Sequence, residues 1–210
     1  MVTEENKNKL TNEQMDDLPL QQFDENIEVV DTMEAALAAA REMASESMLG
    51  FDTETRPSFK RGVTYKTALL QLSTEHKAWL IRINKIGLPD CIVSILENPS
   101  ILKAGVAIRD DIKGLQKWHG FTPGNFVELQ NMALEHGIEE FSLKKLAAYV
   151  MGIRISKRQR LSNWEASQLT MSQQHYAATD AWVGLMCYKG LSNGICQHPR
   201  LTEILNKKES

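Results

Sequence analysis

The sequence predicts a layered α/β domain built around one mixed β-sheet. Three strand-like segments follow one another closely at 48–55, 66–74 and 77–83, and later strand-like segments alternate with helical ones. Closely spaced strands pair as antiparallel neighbours, whereas strands joined through a helix pair as parallel ones, so the sheet is expected to be mixed. A chain of 210 residues is long enough for one such domain with a sizeable core.

The strands are predicted from short apolar runs and from alternation with a period of two. In 66–74, Ala68, Leu70 and Leu72 occupy every second position, which is typical of a strand with two unlike faces. Counted from residue 48 there are five strands, and a further short strand, IEVV, precedes them. The predicted strands are 27–30, 48–55, 66–74, 77–83, 101–108 and 125–130.

The helices are predicted from their end signals and from residues that favour helix. Asp31 and Glu34 have the D-x-x-E spacing of an N-terminal cap, and many alanines follow them. Pro89 lies at an early helical position, and Gly120 is expected to end a helix. The predicted helices are 31–47, 89–97, 110–120 and most of the chain after 130, interrupted by a polar, basic stretch at 152–164.

The chain divides into one domain with two flanking segments. Residues 1–26 are rich in polar residues and poor in β-branched ones, so we expect a flexible or loosely docked N-terminal segment. Residues 27–192 form the predicted domain, and 193–210 form a C-terminal extension.

Composition limits the classes of protein that this chain can represent. Its three cysteines have no C-x-x-C spacing, which favours reduced thiols and a cytoplasmic protein over a disulfide framework. No apolar run approaches the roughly 18 residues that span a bilayer, and no apolar signal segment follows Met1, so no membrane partner is expected. The net charge of −3 argues only against broad, non-specific coating of DNA.

Two carboxylates stand at the end of the first central strand, in LGFDTETRP. Asp52 and Glu54 are one residue apart on a strand, so their side chains share one face. Two neighbouring carboxylates repel each other unless a cation lies between them, and oxygen ligands of this kind suit Mg²⁺ or Mn²⁺. The alternative is an exposed strand end with two solvated acids, because D-x-E by itself is a very common pattern.

A late helix supplies a third acid. Thr170 and Gln173 have capping-box spacing, which starts a helix there. Tyr176 and Asp180 are then four residues apart on one face of that helix. A helix face that is apolar along most of its length and carries a tyrosine and an aspartate at one end is typical of a helix that runs from the core to a functional site. The alternative is a helix whose first turns simply reach solvent.

A fourth acid follows the strand at 101–108, where two aspartates are adjacent. Ile108, Ile112 and Leu115 define the buried face of the helix at a spacing of about 100° per residue. Asp111 lies near that face, whereas Asp110 points largely away from it. We therefore choose Asp111 as the inward acid, and interpret Asp110 as a charge that favours the start of a helix.

These residues together match a known pattern. FDTET, KAGVAIRDD, LSNW and YAATDAWVG resemble stretches of the DEDDy 3′–5′ exonucleases of the DnaQ-like superfamily, and the similarity is greatest to ribonuclease D-like domains and to the exonuclease domain of the Werner syndrome helicase. The resemblance covers roughly residues 27–192. It implies a ribonuclease H-like, three-layer αβα fold with a five-stranded mixed sheet whose second strand is antiparallel. It also implies two divalent cations, Mg²⁺ or Mn²⁺, and the release of nucleoside 5′-monophosphates from a nucleic acid with a free 3′ end.

The resemblance assigns a role to each of five residues. It implies that Asp52 bridges both metals, that Glu54 and Asp180 bind the metal on the nucleophile side, and that Asp111 holds the other metal, partly through water. Tyr176 would orient the attacking water. Because an unperturbed tyrosine pKa of about 10 makes a poor base at neutral pH, orientation is the more economical role.

The substrate-side predictions concern three kinds of residue. Four basic residues either meet phosphates near the site or form a solvated loop. By family analogy, two adjacent leucines either wedge against the terminal base or pack in the core, and a tryptophan either anchors the basic stretch or stacks on a base. The residues are Leu69, Leu70, Arg154, Lys157, Arg158, Arg160 and Trp164.

Three functional hypotheses follow. The first is an active, metal-dependent exonuclease acting on DNA or RNA, which the intact set of four acids and one tyrosine favours. The second is a catalytically silent module of the same fold that binds nucleic acid or a protein partner. The third is docking of the domain to a separate helicase or other repair or processing partner.

Overall fold

The computed structural model describes residues 10–207, with side chains up to residue 206. Within this range six strands form one sheet. The strands are β1 (Asn26–Val30), β2 (Met48–Thr55), β3 (Thr67–Ser73), β4 (Lys77–Ile81), β5 (Leu102–Gly105) and β6 (Phe126–Glu128). Their order across the sheet is β1-β4-β3-β2-β5-β6. Only β3 is antiparallel to its neighbours, so the predicted mixed sheet with an antiparallel second central strand is confirmed.

The predicted number of strands in the sheet, five, is wrong. The segment IEVV was predicted as a strand, but it was not counted among the five strands of the sheet. In the structure it joins the sheet as β1 and pairs in parallel with β4, from Asn26 opposite Lys77 to Val30 opposite Ile81. This pairing covers an edge that β4 would otherwise expose, and it buries Val30 completely. The sheet therefore has six strands.

Helices cover both faces of the sheet, which gives the predicted three-layer αβα arrangement. The helices are α1 (Asn12–Asp16), α2 (Met33–Met43), α3 (Ile83–Ile86), α4 (Asp90–Glu97), α5 (Ile108–Gln116), α6 (Leu129–Glu135), α7 (Leu143–Leu146), α8 (Met171–Ser192) and α9 (Pro199–Lys207), and a π-helical turn (Ala147–Met151) follows α7. The apolar residues of α2, α4 and α5 pack in one cluster against one sheet face. The apolar residues of α8, with those of α6 and α7, pack against the other.

The predicted ends of α2 and α5 differ from the structure. The N-cap of α2 is Thr32 rather than Asp31, because the Thr32 hydroxyl accepts a hydrogen bond from the Ala35 backbone N–H at 3.2 Å. The helix α5 starts at Ile108 and ends at Gln116, before the predicted stop at Gly120. The basic stretch at 152–164 contains no helix, as predicted.

The N-terminal segment packs against the domain wherever the structure describes it. Leu10, Met15 and Leu18 are at most 3% exposed and pack in a cluster with Ala148 and with Leu201 of α9. The polar composition of 1–26 concealed these few apolar anchors, which favour the docked alternative for 10–26. Residues 1–9 lie outside the described residues.

The close contact between β2 and α8 positions the functional residues. A Cβ atom on Gly50 would lie 1.9 Å from the backbone oxygen of Ala181, so only glycine allows α8 to approach β2 this closely. Gly50 precedes Asp52 on the same face of β2, and Ala181 follows Asp180 on α8. The contact therefore brings the end of one acidic strand to the acidic turn of one helix.

None of the helices between residues 10 and 207 is both long enough and apolar enough to cross a lipid bilayer.

Candidate active site

Three carboxylates converge where β2 meets α8. Oxygen atoms of Asp52, Glu54 and Asp180 lie within 4.8 Å of one another. Asp52 and Glu54 share the face of β2 that packs against α8, because alternate side chains of a strand point the same way. Asp180 is only 7% exposed. The structure thus brings together three of the four predicted acids in one group that could hold a metal ion.

The electrostatics of this group favour binding of a cation. Burial, and then the charges of Asp180, Glu54 and Asp111, raise the pKa of Asp52 well above its usual range. Burial and the charges of Asp180 and Asp111 raise the pKa of Glu54 to about 9. Burial raises the pKa of Asp180 to about 7, although a hydrogen bond from Tyr176 opposes the shift. A divalent cation would favour the ionised form of all three acids.

Asp111 lies beside this group but belongs to the opposite face of the sheet. Its charge contributes to the raised pKa values of Asp52 and Glu54, so it lies near both of them. Burial raises the pKa of Asp111 itself to about 6, and a hydrogen bond from Thr53 Oγ1 to Asp111 Oδ1 opposes the shift. Asp110, by contrast, pairs with Lys113 at 3.1 Å and its side chain is 91% exposed. The adjacent aspartates therefore differ as the helical spacing predicted.

Sequence reasoning missed two residues that hold Asp111 in place. Thr53, the middle residue of D-x-E, points to the other face of β2 and contacts Asp111. Glu128 at the end of β6 accepts hydrogen bonds at 2.9 Å from the backbone N–H groups of Ala107 and Ile108, where α5 begins. Ala107 is in the left-handed region with φ 58°, and Glu128 stabilises that turn. An acid at the end of a strand is the sole sequence signal for Glu128.

Tyr176 faces the acidic group from the first turns of α8. Its hydroxyl donates a hydrogen bond to Asp180, and its ring lies 6.0 Å from the ring of Trp164, measured between centroids. Burial, and then the charges of Asp180 and Glu54, raise the pKa of Tyr176 well above its usual value. The tyrosine is therefore a hydrogen-bond donor, and not an anion, at neutral pH.

Three of the predicted substrate-contacting residues belong to the core. Leu69, Leu70 and Trp164 are each 0% exposed. Leu69 and Trp164 pack in the cluster under α8, and Leu70 packs on the other face of the sheet. This complete burial favours the second of the two alternatives, in which the leucines pack in the core and the tryptophan anchors the basic stretch.

The four predicted basic residues differ in their distance from the acids. The charges of Lys157 and Arg160 act on the pKa values of Asp180 and Glu54 respectively, so these two cations lie close to the acidic group. Arg154 instead donates a hydrogen bond from Nε to the backbone oxygen of Leu18 at 2.9 Å, which anchors the N-terminal segment. Arg158 lines a neighbouring cavity with a volume of about 520 Å³.

That cavity was not predicted from the sequence. It borders Tyr176 on one side, and its basic lining includes Lys144, Lys157, Arg158 and His175. A cavity with several cations beside a tyrosine and an acidic group is suited to an anionic ligand.

Comparison with known proteins identifies the family. A family model described as 3′–5′ exonuclease matches residues 27–195. The chain is 37% identical over 157 residues to the bifunctional 3′–5′ exonuclease/ATP-dependent helicase WRN of Mus musculus, covering 72% of this chain and 11% of that protein. It is 28% identical over 177 residues to ribonuclease D of Acidiphilium cryptum, covering 82% of this chain and 44% of that protein.

Solved structures show the same fold. The EXO domain of Aedes aegypti Nibbler superposes with a TM-score of 0.72 at 22% identity, over 89% of this chain and 98% of that one. Ribonuclease D of Escherichia coli superposes with a TM-score of 0.72 at 22% identity, over 88% of this chain and 49% of that one. The matched region is only part of the curated relatives, from about a tenth of the mouse protein to 57% of an Arabidopsis thaliana 3′–5′ exonuclease. By the family match over most of its length, the chain belongs to the 3′–5′ exonuclease family.

Proposed function

We propose that this protein is a metal-dependent 3′–5′ exonuclease that hydrolyses phosphodiester bonds from the 3′ end of DNA or RNA and releases nucleoside 5′-monophosphates. The observation that carries the proposal is the convergence of Asp52, Glu54 and Asp180 within 4.8 Å, in a chain of this family. Asp111 and Tyr176 adjoin the same group, as a nuclease site of this kind requires.

The residues present fit divalent cations. Carboxylate oxygens are the ligands that Mg²⁺ and Mn²⁺ prefer. The charge of Asp180 raises the pKa of both Asp52 and Glu54, so a cation would relieve the repulsion within this group. Asp111 approaches the group from a different element, so Asp52 and Asp111 are the residues that would hold a second ion. When bound, two such ions would lower the pKa of a water molecule and neutralise the departing 3′ oxygen.

The protein's own side chains would orient the reactants. Tyr176 keeps its proton, so its hydroxyl can position the attacking water while its hydrogen bond to Asp180 fixes the direction of the phenol. Lys157 and Arg160 lie near the acids and would contact phosphate oxygens of the strand. The basic cavity beside Tyr176 extends this positive surface away from the acids.

The nucleic-acid substrate and the cellular setting are parts of the same proposal. One structural neighbour is ribonuclease D of Trypanosoma brucei in complex with RNA U12, which supports an RNA or DNA strand as substrate. The WRN relative carries an ATP-dependent helicase in the same protein, which supports a helicase as a partner. The number and spacing of the cysteines support a reducing, cytoplasmic location.

The test is a nuclease assay with matched DNA and RNA oligonucleotides labelled at the 5′ end. With Mg²⁺ or Mn²⁺ we expect a ladder that shortens from the 3′ end, and no cutting in EDTA. Chromatography of the same reactions should show nucleoside 5′-monophosphates as products. Asp52→Asn and Asp180→Asn should abolish cutting, whereas Asp110→Asn, which changes an exposed acid, should not.

Two results would contradict the proposal. Wild-type rates in both Asp52→Asn and Asp180→Asn would show that the acidic group is not the site. Binding of oligonucleotides by the wild-type protein without any metal-dependent shortening would instead support the silent binding module.

A further inference from the structure

The loop that joins β2 to β3, residues 56–66, is strongly basic and contains no acidic residue. Its sequence is RPSFKRGVTYK, and its basic residues are Arg56, Lys60, Arg61 and Lys66. The whole chain carries a net charge of −3, so this concentration of cations is a local feature. We call this segment the β2–β3 loop.

Both ends of the β2–β3 loop are fixed to the domain. Arg56 Nη1 pairs with Glu165 Oε2 at 3.2 Å, and the Arg56 guanidinium lies 4.8 Å from the centroid of the Tyr65 ring. At the other end, Lys66 Nζ lies 4.7 Å from the centroid of the Trp118 ring. The loop starts two residues after Glu54, so these contacts hold it at the end of the strand that carries the acidic group.

The tip of the loop projects into solvent. Phe59 is 82% exposed, more than any other large hydrophobic residue among those that the structure describes. A hydrogen bond at 3.2 Å from the Val63 N–H to the Lys60 oxygen closes a turn, and Gly62 supplies its positive φ of 79°. Neither Lys60 nor Arg61 forms an ion pair within residues 10–207, and both are exposed.

An exposed aromatic ring beside two free cations matches the chemistry of an unpaired nucleic-acid strand. Bases stack on aromatic side chains without regard to sequence, and cations next to the ring meet the phosphates that link those bases. A paired duplex offers its phosphates but hides the faces of its bases, so the ring favours single strands. An anionic lipid surface shares the phosphate chemistry, but the position of the loop beside the acidic group favours nucleic acid.

We propose that the tip of the β2–β3 loop is a second contact for the nucleic acid, in which Phe59 stacks on an unpaired base upstream of the 3′ end and Lys60 and Arg61 contact the adjacent phosphates. This site, which rests on the proposed nuclease function, would make the enzyme prefer substrates with a single-stranded 3′ region. The loop would contact the nucleic acid next to β2, in addition to the basic residues of the 152–164 stretch.

The experiment measures binding of a fluorescent single-stranded oligonucleotide by anisotropy, with Ca²⁺ in place of Mg²⁺ to suppress cutting. Phe59→Ala should weaken binding about tenfold, within the range for loss of one base–aromatic stack. Phe59→Trp should keep the affinity, and its added indole fluorescence should be quenched by the oligonucleotide. Leu37→Ala, at an exposed apolar residue of α2, is the matched control.

Two further measurements test the phosphate contacts and the base contact separately. Lys60→Gln with Arg61→Gln should reduce the dependence of log K on log salt by about one to two in slope. A blunt duplex should bind Phe59→Ala and wild-type protein equally well. Because Phe59 is exposed, the variants should fold, which equal melting temperatures would establish.

The outcomes distinguish this proposal from the proposed function. Unchanged affinity of Phe59→Ala for single strands overturns the loop proposal, even if the wild-type protein shortens oligonucleotides. Phe59-dependent binding of single strands without any shortening supports the loop proposal and overturns the nuclease. Phe59-dependent binding of anionic vesicles, with no effect on oligonucleotides, assigns the loop to a lipid surface and overturns the proposal.

Discussion

Near the carboxyl end of the central strand β2, the hydroxyl of Thr53 donates a hydrogen bond to the carboxylate of Asp111. Thr53 lies between Asp52 and Glu54, so its side chain points away from theirs, toward α5. The tripeptide 52–54 thus places two acids on the face of β2 that packs against α8, and its threonine holds Asp111 on the opposite face. Asp52, Glu54 and Asp111 are therefore linked through the backbone of β2.

Thr53→Val should weaken this coupling, because valine keeps the shape of threonine but has no hydroxyl. The hydrogen bond lowers the pKa of Asp111, so its loss should raise that pKa further and weaken metal binding. We expect a loss of about 1.5–3 kcal/mol in the free energy of unfolding, which is typical of a hydrogen bond to a charged group. Urea denaturation and the Mn²⁺ concentration for half-maximal activity measure the two effects.

Thr53→Ser is the control, since serine keeps the hydroxyl. It should retain most of the metal affinity. Equal Mn²⁺ requirements in Thr53→Val and wild-type protein would show that the hydrogen bond does not support the site.

The acidic group predicts how stability depends on pH without metal. The folded-state pKa values of Glu54, Asp180 and Asp111 are raised to about 9, 7 and 6, above those of an unfolded chain. Groups with raised pKa values stabilise the fold below their unfolded pKa, and this contribution is lost as pH rises through the folded pKa. In EDTA, the melting temperature should therefore fall between pH 5 and pH 9.

Divalent cations should reverse that loss, because they take the place of protons between the carboxylates. The rise in melting temperature on adding Mg²⁺ or Mn²⁺ should be larger at pH 8 than at pH 5. Glu54→Gln should flatten the pH dependence in EDTA, since the amide does not ionise. A metal-induced rise that is equal at both pH values would contradict this electrostatic account.

The central acids could be predicted because local spacing determines which way they point. Asp52 and Glu54 are two apart on a strand, Tyr176 and Asp180 are four apart on a helix, and these periods fix a shared face in each case. Asp111 was separable from Asp110 for the same reason. Spacing does not give the distance between elements, which here depends on the close approach of α8 to Gly50.

Supporting residues were missed because they act across long separations in the chain. Thr53 is 58 residues from Asp111, and Glu128 is 20 residues from Ile108, so no local period relates the partners. The docked N-terminal segment is a similar case, since Leu10 and Met15 pack against α9 near the other end of the chain. The segment IEVV was predicted as a strand, but its place in the sheet depends on pairing with β4.

Tyr176→Phe should lower kcat while leaving most of the binding intact. The variant loses the hydroxyl that points at Asp180 but keeps the ring contact with Trp164. We expect kcat to fall about 100-fold with little change in KM. This is the lower end of the rate effects of side chains that are positioned to assist proton transfer in the transition state. Steady-state kinetics on a 5′-labelled oligonucleotide measure both parameters.

The matching check is stability, because the loss of a phenol at a packed position could also disturb the fold. Tyr176→Phe should melt within a few degrees of the wild-type protein. A large rise in KM with unchanged kcat would assign the hydroxyl to substrate binding instead of to the reacting water.

Gln71 carries a buried amide that should be removable without loss of stability. It lies directly across from Asp52 in the β2–β3 pair, is 0% exposed, and neither its amide nitrogen nor its oxygen has a hydrogen-bond partner within residues 10–207. An unpartnered buried amide costs about 1–3 kcal/mol, so Gln71→Met should raise the free energy of unfolding in EDTA by about 1 kcal/mol. Urea denaturation measures this change. Destabilisation by Gln71→Met would show that the amide has a stabilising partner, and Asp52 would be the first to test because it is the cross-strand neighbour.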